Sequence, residues 1–102
     1  MKLNIQSIHF KADKKLLTFI TQKVEKTQTF FDGVISTDVY LKLENNQAGD
    51  NKIVEIKLHL PGAPIFAKEQ SSTFEAATDL LIDKLITQVK KHKEKIQAKT
   101  AW

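Results

Sequence analysis

The sequence predicts an α+β domain in the order β-α-β-β-β-α, a four-stranded mixed sheet with two helices packed on one face. Three observations carry that prediction. Short stretches alternate apolar and polar residues with a period of two, longer ones repeat apolar residues every three or four positions, and each alternating stretch has one apolar side only. A sheet that is apolar on one side needs cover on that side alone, which sends both helices to the same face.

The first strand is expected over Leu3 to His9, where residues 3, 5, 7 and 9 alternate with 2, 4, 6 and 8 before the polar break Lys11-Ala12-Asp13. Asp13 is a candidate cap for a helix in which Leu16, Leu17, Ile20, Val24, Thr27 and Phe31 share one face, and Asp32-Gly33 ends it. Ile35, Thr37, Val39, Leu41 and Leu43 then alternate with Ser36, Asp38, Tyr40, Lys42 and Glu44 in a second strand. The polar, turn-forming stretch Glu44 to Asn51 follows, and Val54, Ile56, Leu58 and Leu60 resume the alternation. Pro61-Gly62 reverses the chain into a last strand, in which Ile65, Ala67 and Glu69 alternate with Phe66, Lys68 and Gln70 and Pro64 marks an edge. Ser72-Thr73-Phe74-Glu75 reads as a capping box opening a second helix, with Phe74, Ala77, Leu81, Leu85, Val89 and Ile96 on one face to about Gln97. The β-α-β passage is expected to cross over right-handedly.

A chain of 102 residues, 41% hydrophobic, suits one domain over residues 1–97 with a short frayed tail at 98–102. It contains no cysteine, which removes disulfides, thiolate metal sites and thiol catalysis and fits a reducing cytoplasm. The start MKLNIQSIHF lacks the pattern of a secretory signal, and no apolar run nears the ~20 residues that cross a bilayer, so a membrane partner is not expected.

Raw material for an active site is thin. His9, His59 and His92 are scattered, with no paired spacing that would bind a metal, and Gly33, Gly49 and Gly62 each stand at a turn instead of forming a phosphate-cradling loop. Asp79 and Asp83 are a carboxylate pair on the second helix, but with Glu75 they read as acids favoured by the positive end of its dipole. No cofactor, metal or enzymatic step is expected.

The charge is more informative. All 16 basic residues are lysine, against 12 acids, and the net +4 gathers at the ends of the chain; Lys90 to Lys99 alone hold five lysines and one glutamate. On a helical wheel with Phe74 at 0°, Lys84, Lys91 and Lys95 fall at roughly 280°, 260° and 300°, with Thr87 and Gln88 on the same side. That stripe interleaves cations with neutral hydrogen-bonding groups and contains no acid, which suits phosphate. Lys23 and Lys26 border the apolar face of the first helix, the stem of Lys23 lying close to the core and its ammonium free, and side-by-side helices would join the two ridges in one basic groove. A charged stripe is also what a solvated helix face carries, and lysines in the last turns suit the helix dipole.

Among nucleic-acid modules, the RNP1 pattern is absent, and Tyr40, Lys42, Glu44, Glu55, Lys57 and His59 make the open sheet face too acidic and too poor in aromatics for stacking bases. The order of the last five elements is double-stranded-RNA-binding-domain-like. Such domains place lysines at the start of the final helix, where this chain has Ser72, Glu75 and Asp79.

The opening MKLNI, Phe31-Asp32, Val39-Tyr40-Leu41-Lys42, Phe74-Glu75-Ala76-Ala77, and above all the run from Asp83-Lys84-Leu85 through Gln88 to Lys91-His92-Lys93-Glu94-Lys95 resemble the short-form ribosome hibernation-promoting factors. These belong to the family that includes ribosome-associated inhibitor A (protein Y), and the resemblance spans Met1 to about Gln97. It implies a monomeric, cytoplasmic protein that binds the small ribosomal subunit near the decoding centre, excludes messenger and transfer RNA and silences translation in stress or stationary phase. Lys23, Lys26, Lys84, Lys91, Lys93 and Lys95 match positions that face phosphates of 16S ribosomal RNA in the family. Thr87 and Gln88 complete the RNA-binding set, although Thr87 stands where relatives often carry arginine. Long-form relatives have a further domain that pairs ribosomes; a chain ending at Trp102 is expected to need a ribosome-dimerising helper protein for that step. The reading from a different class is a protein-interaction domain using Tyr40, Lys57, His59 and Phe66 on the open sheet face.

Overall fold

A computed structural model describes residues 2–30, 33–44, 49–62 and 64–100, with the side chains of residues 27–30 and 92–100 outside that set. The elements run β1 (Lys2–Ser7), α1 (Lys14–Phe30), β2 (Ser36–Leu43), β3 (Lys52–His59), β4 (Ile65–Ser71) and α2 (Phe74–Thr100). They form a four-stranded sheet in the order β1-β2-β3-β4. β1 pairs with β2 in parallel, and β2–β3 and β3–β4 are antiparallel. The predicted fold class and element order are those observed.

β1 is shorter than expected. The Ile8 amide still donates to the Leu41 carbonyl at 2.9 Å, but His9 adopts φ 66°, a left-handed conformation that turns the chain off the sheet. At α1, Asp13 caps as expected, its Oδ1 accepting the Leu16 amide at 2.8 Å. The Thr27 and Phe31 side chains and the Phe31-Asp32 corner lie outside the described residues. Gly62, at φ 98°, supplies the left-handed residue that the turn after Pro61 requires.

The start of α2 corrects the expected capping box. Thr73, not Ser72, is the cap: its Oγ1 accepts the Ala76 amide at 3.0 Å, and the residue in the third helical position is therefore alanine. Glu75 remains in the first turn, where the dipole favours it. Thr73→Ala is accordingly expected to cost about 1 kcal/mol in a urea titration, whereas Ser72→Ala changes little. The helix continues to Thr100, past the expected end near Gln97.

The core lies between the sheet and both helices. Val39, Leu41, Val54, Ile56 and Leu58 from the sheet meet Ile20 and Val24 of α1 and Ala77, Leu81, Leu85 and Val89 of α2, all fully buried. Two α2 residues absent from the expected face, Thr78 and Ile82, are buried too, Thr78 returning its hydroxyl to the Phe74 carbonyl at 2.7 Å. Ile35 and Leu43 share the apolar parity of β2 yet are exposed, because Ile35 precedes the strand and Leu43 ends it, both beyond the core cluster. Ile53 shows the opposite: it has open-face parity and is buried between its cross-strand neighbours Lys42 and Gln70, whose stems are long enough to cover it. The side chain of Ile96 lies outside the described residues.

No described helix is long and apolar enough to cross a membrane.

Candidate nucleic-acid interface

The sheet order decides which lysines meet. α1 joins β1 to β2 and packs on α2, and α2 in turn covers β3 and β4. One flank of α2 therefore faces α1, and the other lies over β4 at the edge of the sheet.

The flank toward α1 is acidic. Asp79, Ile82, Asp83 and Ile86 line a cleft of about 380 Å³ with Lys23 and Lys26 of α1. Lys23 Nζ lies 3.1 Å from Asp79 Oδ1 and 5.3 Å from the centre of the Phe19 ring. The ammonium, expected to be free, is thus paired with Asp79 and stands near the Phe19 ring. Lys26 is exposed beside this cleft.

The flank toward β4 carries the basic stripe. Lys84 and Lys91 are exposed and Gln88 is half-buried; Thr87 is exposed with its hydroxyl donating to the Asp83 carbonyl at 3.1 Å. Lys93 and Lys95 fall within the α2 backbone, but their side chains lie outside the described residues.

Two expectations need correction here. The ridges of Lys23–Lys26 and Lys84–Lys91 do not line one groove; they lie on opposite flanks of α2, because α1 occupies the side of Asp79 and Asp83. Nor is the stripe without acid in the folded protein: Glu69 of β4 reaches Lys84 with Oε1 at 3.1 Å and Oε2 at 3.0 Å. The signal for Glu69 was present in the sequence, since it takes the third place in the alternation Ile65, Ala67, Glu69 on the side that faces the helices. A carboxylate at such a register position requires a partner.

The open sheet face satisfies much of its own polarity. His59 Nε2 lies 2.8 Å from Asp38 Oδ2, Asn4 Nδ2 donates to Asp38 Oδ1 at 3.2 Å, and Lys42 pairs with Glu55 at 2.7 Å. Phe66 is half exposed beside Lys57. The hydrogen bond from His59, followed by that from Asn4, holds the Asp38 carboxyl below its usual value near 3.8. A depressed carboxyl contributes stability that is present above its unfolded-state value and is lost as pH falls through the folded one. Thermal melts of Asp38→Asn are therefore expected to show a flatter loss of stability than the parent below about pH 4.

Among the described residues no group of three or more histidine, cysteine or acidic side chains is placed to hold a metal ion. What the arrangement offers is an exposed cationic flank on a rigid helix, able to take phosphate oxygens by charge-assisted hydrogen bonds.

Residues 3–97 match the family described as sigma 54 modulation protein / S30EA ribosomal protein. A ribosome hibernation promoting factor from Pseudomonas putida is 34% identical over 98 residues, covering 96% of this chain and 92% of that protein. One from Escherichia coli is 34% identical over 97 residues, with 95% and 98% covered. A ribosomal subunit interface protein from Coxiella burnetii has the same fold, with a TM-score of 0.83 at 24% identity over 92% of this chain and 99% of that one. The N-terminal domain of Thermus thermophilus protein Y gives 0.76 at 26% identity, over 90% and 99%.

Proposed function

Because this chain belongs to the sigma 54 modulation protein / S30EA ribosomal protein family, we propose that it is a ribosome hibernation factor. It binds the small ribosomal subunit near the decoding centre through lysine contacts to phosphates of 16S ribosomal RNA. Its bulk there excludes messenger and transfer RNA and silences translation in stress or stationary phase. It acts in the cytoplasm, as a monomer, by occupancy and without a catalytic step, and any pairing of ribosomes uses a helper protein.

The observation that carries this reading is the exposed basic flank of α2, on which Lys91 and the Glu69-paired Lys84 stand about two helical turns apart on a helix anchored by its buried face. The names of relatives matched over nearly their whole length support the ribosome as the target. Lys93 and Lys95 follow Lys91 in the sequence of the same helix, and Lys26 and Lys23 offer a second, separate point of contact across the acidic cleft. The open-face reading draws less support, since Asp38, His59, Lys42 and Glu55 are engaged with one another.

Co-sedimentation with ribosomes and separated subunits over a salt series, with and without transfer RNA, tests the proposal. Saturable binding to the small subunit, reversed both by transfer RNA and by salt, is expected; log affinity should fall by roughly 0.7 to 0.9 per decade of salt for each phosphate neutralised. Binding insensitive to transfer RNA, or absent at low salt, would refute it.

A further inference from the structure

Two of the lysines assigned to RNA are each met by a carboxylate from another element: Lys84 by Glu69 of β4 and Lys23 by Asp79 of α2. Neither acid is explained by its local setting. Glu69 stands on the helix-facing side of its strand, in register with the buried Val54, where an apolar residue would otherwise pack. Its side chain is 20% exposed against 54% for Lys84, so the acid is the more buried partner, whereas in the other pair Lys23 is, at 28% against 54% for Asp79. Asp79 lies beyond the first turn of α2, where the dipole no longer favours an acid.

Both oxygens of Glu69 engage Lys84 Nζ, occupying much of the capacity of an ammonium that has three protons to give. The pair is close to neutral at any distance greater than its own span, and the same holds for Lys23 and Asp79. A mobile phosphate backbone must therefore displace a carboxylate to use either lysine. No acidic partner of Lys91 stands among the described residues.

We propose that Glu69 and Asp79 are specificity-setting counter-ions, which make Lys84 and Lys23 less available to loosely held phosphate backbones than to a fixed array of phosphates. This rests on the reading that these lysines face RNA. Exposed ion pairs are weak, so displacing the carboxylate costs little to a fixed array that engages many groups at once and proportionally more to a loose contact that engages few. Glu69 and Asp79 are positioning residues in this scheme, acting through the lysines they hold.

The test uses the full chain with two probes, poly(U) and purified small ribosomal subunits, each titrated over a salt series. Glu69→Gln and Asp79→Asn keep size and hydrogen-bonding capacity while removing charge. Each is expected to tighten poly(U) binding about two- to fivefold. Each should also steepen the dependence of log affinity on log salt by about 0.7, the signature of one more phosphate contact on a single strand. Subunit affinity should change less, so the preference for subunits over poly(U) falls. In a Lys84→Gln background the gain from Glu69→Gln should vanish. Poly(U) binding unchanged or weakened in both variants, a gain that persists without Lys84, or an equal gain on both probes would overturn the assignment. If the parent protein fails to bind subunits at all, the ribosomal reading falls, and the poly(U) arm with its salt slopes still decides whether these acids mask the lysines.

Discussion

Replacing Lys84 by glutamine and Lys91 by glutamate in one chain is expected to weaken binding to the small ribosomal subunit by at least about a hundredfold. A hydrogen bond to a charged partner contributes about 1.5 to 3 kcal/mol, and two lost contacts together reach ~3 kcal/mol, which is roughly two decades in affinity. Glutamine is the right choice at Lys84, because reversing that charge would set a second carboxylate against Glu69 and confuse a loss of binding with a loss of stability. Both lysines are exposed and off the buried face of α2, so the urea midpoint should move little. The matching control is Lys57→Gln with Lys68→Glu on the open face, which changes the net charge equally and should leave subunit binding within a few-fold of the parent. Equal losses from the two double variants would mean that net charge, and not the α2 flank, drives association.

The second large effect concerns stability. Leu85 is fully buried at the centre of the α2 face, one helical turn from both Leu81 and Val89 and packed in the cluster formed with Val54, Ile56 and Leu58. Leu85→Ala removes its contacts and leaves a cavity, at a cost of about 2 to 5 kcal/mol. A domain of this size holds only about 5 to 15 kcal/mol in total, so much of its stability goes with one side chain. Subunit binding should fall in parallel, since α2 carries the basic flank and is fixed to the sheet through this residue. Urea titration measures the loss directly. Leu80→Ala is the internal standard: Leu80 is 51% exposed, and its truncation should shift stability by less than about 0.5 kcal/mol.

The strands were legible in the sequence because a half-buried sheet imposes a period of two, and the parity read for Thr37, Val39, Leu41, Ile56 and Leu58 is the parity of the core. The helices were legible for the same reason at a different period. What escaped was non-local. Ile35 and Leu43 have the right parity but stand just before β2 and at its last residue, and nothing in a strand's own sequence says how far along it the covering helices reach. The separation of the two lysine ridges followed from the sheet order, which puts α1 on one side of α2 and β4 on the other. On the sequence of its own helix Asp79 reads as an acid favoured by the dipole, whereas its partner comes from α1. Glu69 was within reach of sequence reasoning, because an acid on an apolar register is a local inconsistency that only a partner resolves.

In the proposed complex the α2 flank, and not the open sheet, meets the ribosome. Cryo-electron microscopy of the protein bound to small subunits at low salt tests this most directly. Density is expected near the decoding centre, with the side chains of Lys84 and Lys91 within hydrogen-bonding distance of ribosomal RNA phosphates and Tyr40, Lys57 and Phe66 turned away from them. Density that seats the open sheet face on the subunit, or that leaves the Lys84–Lys91 flank in solvent, would contradict it.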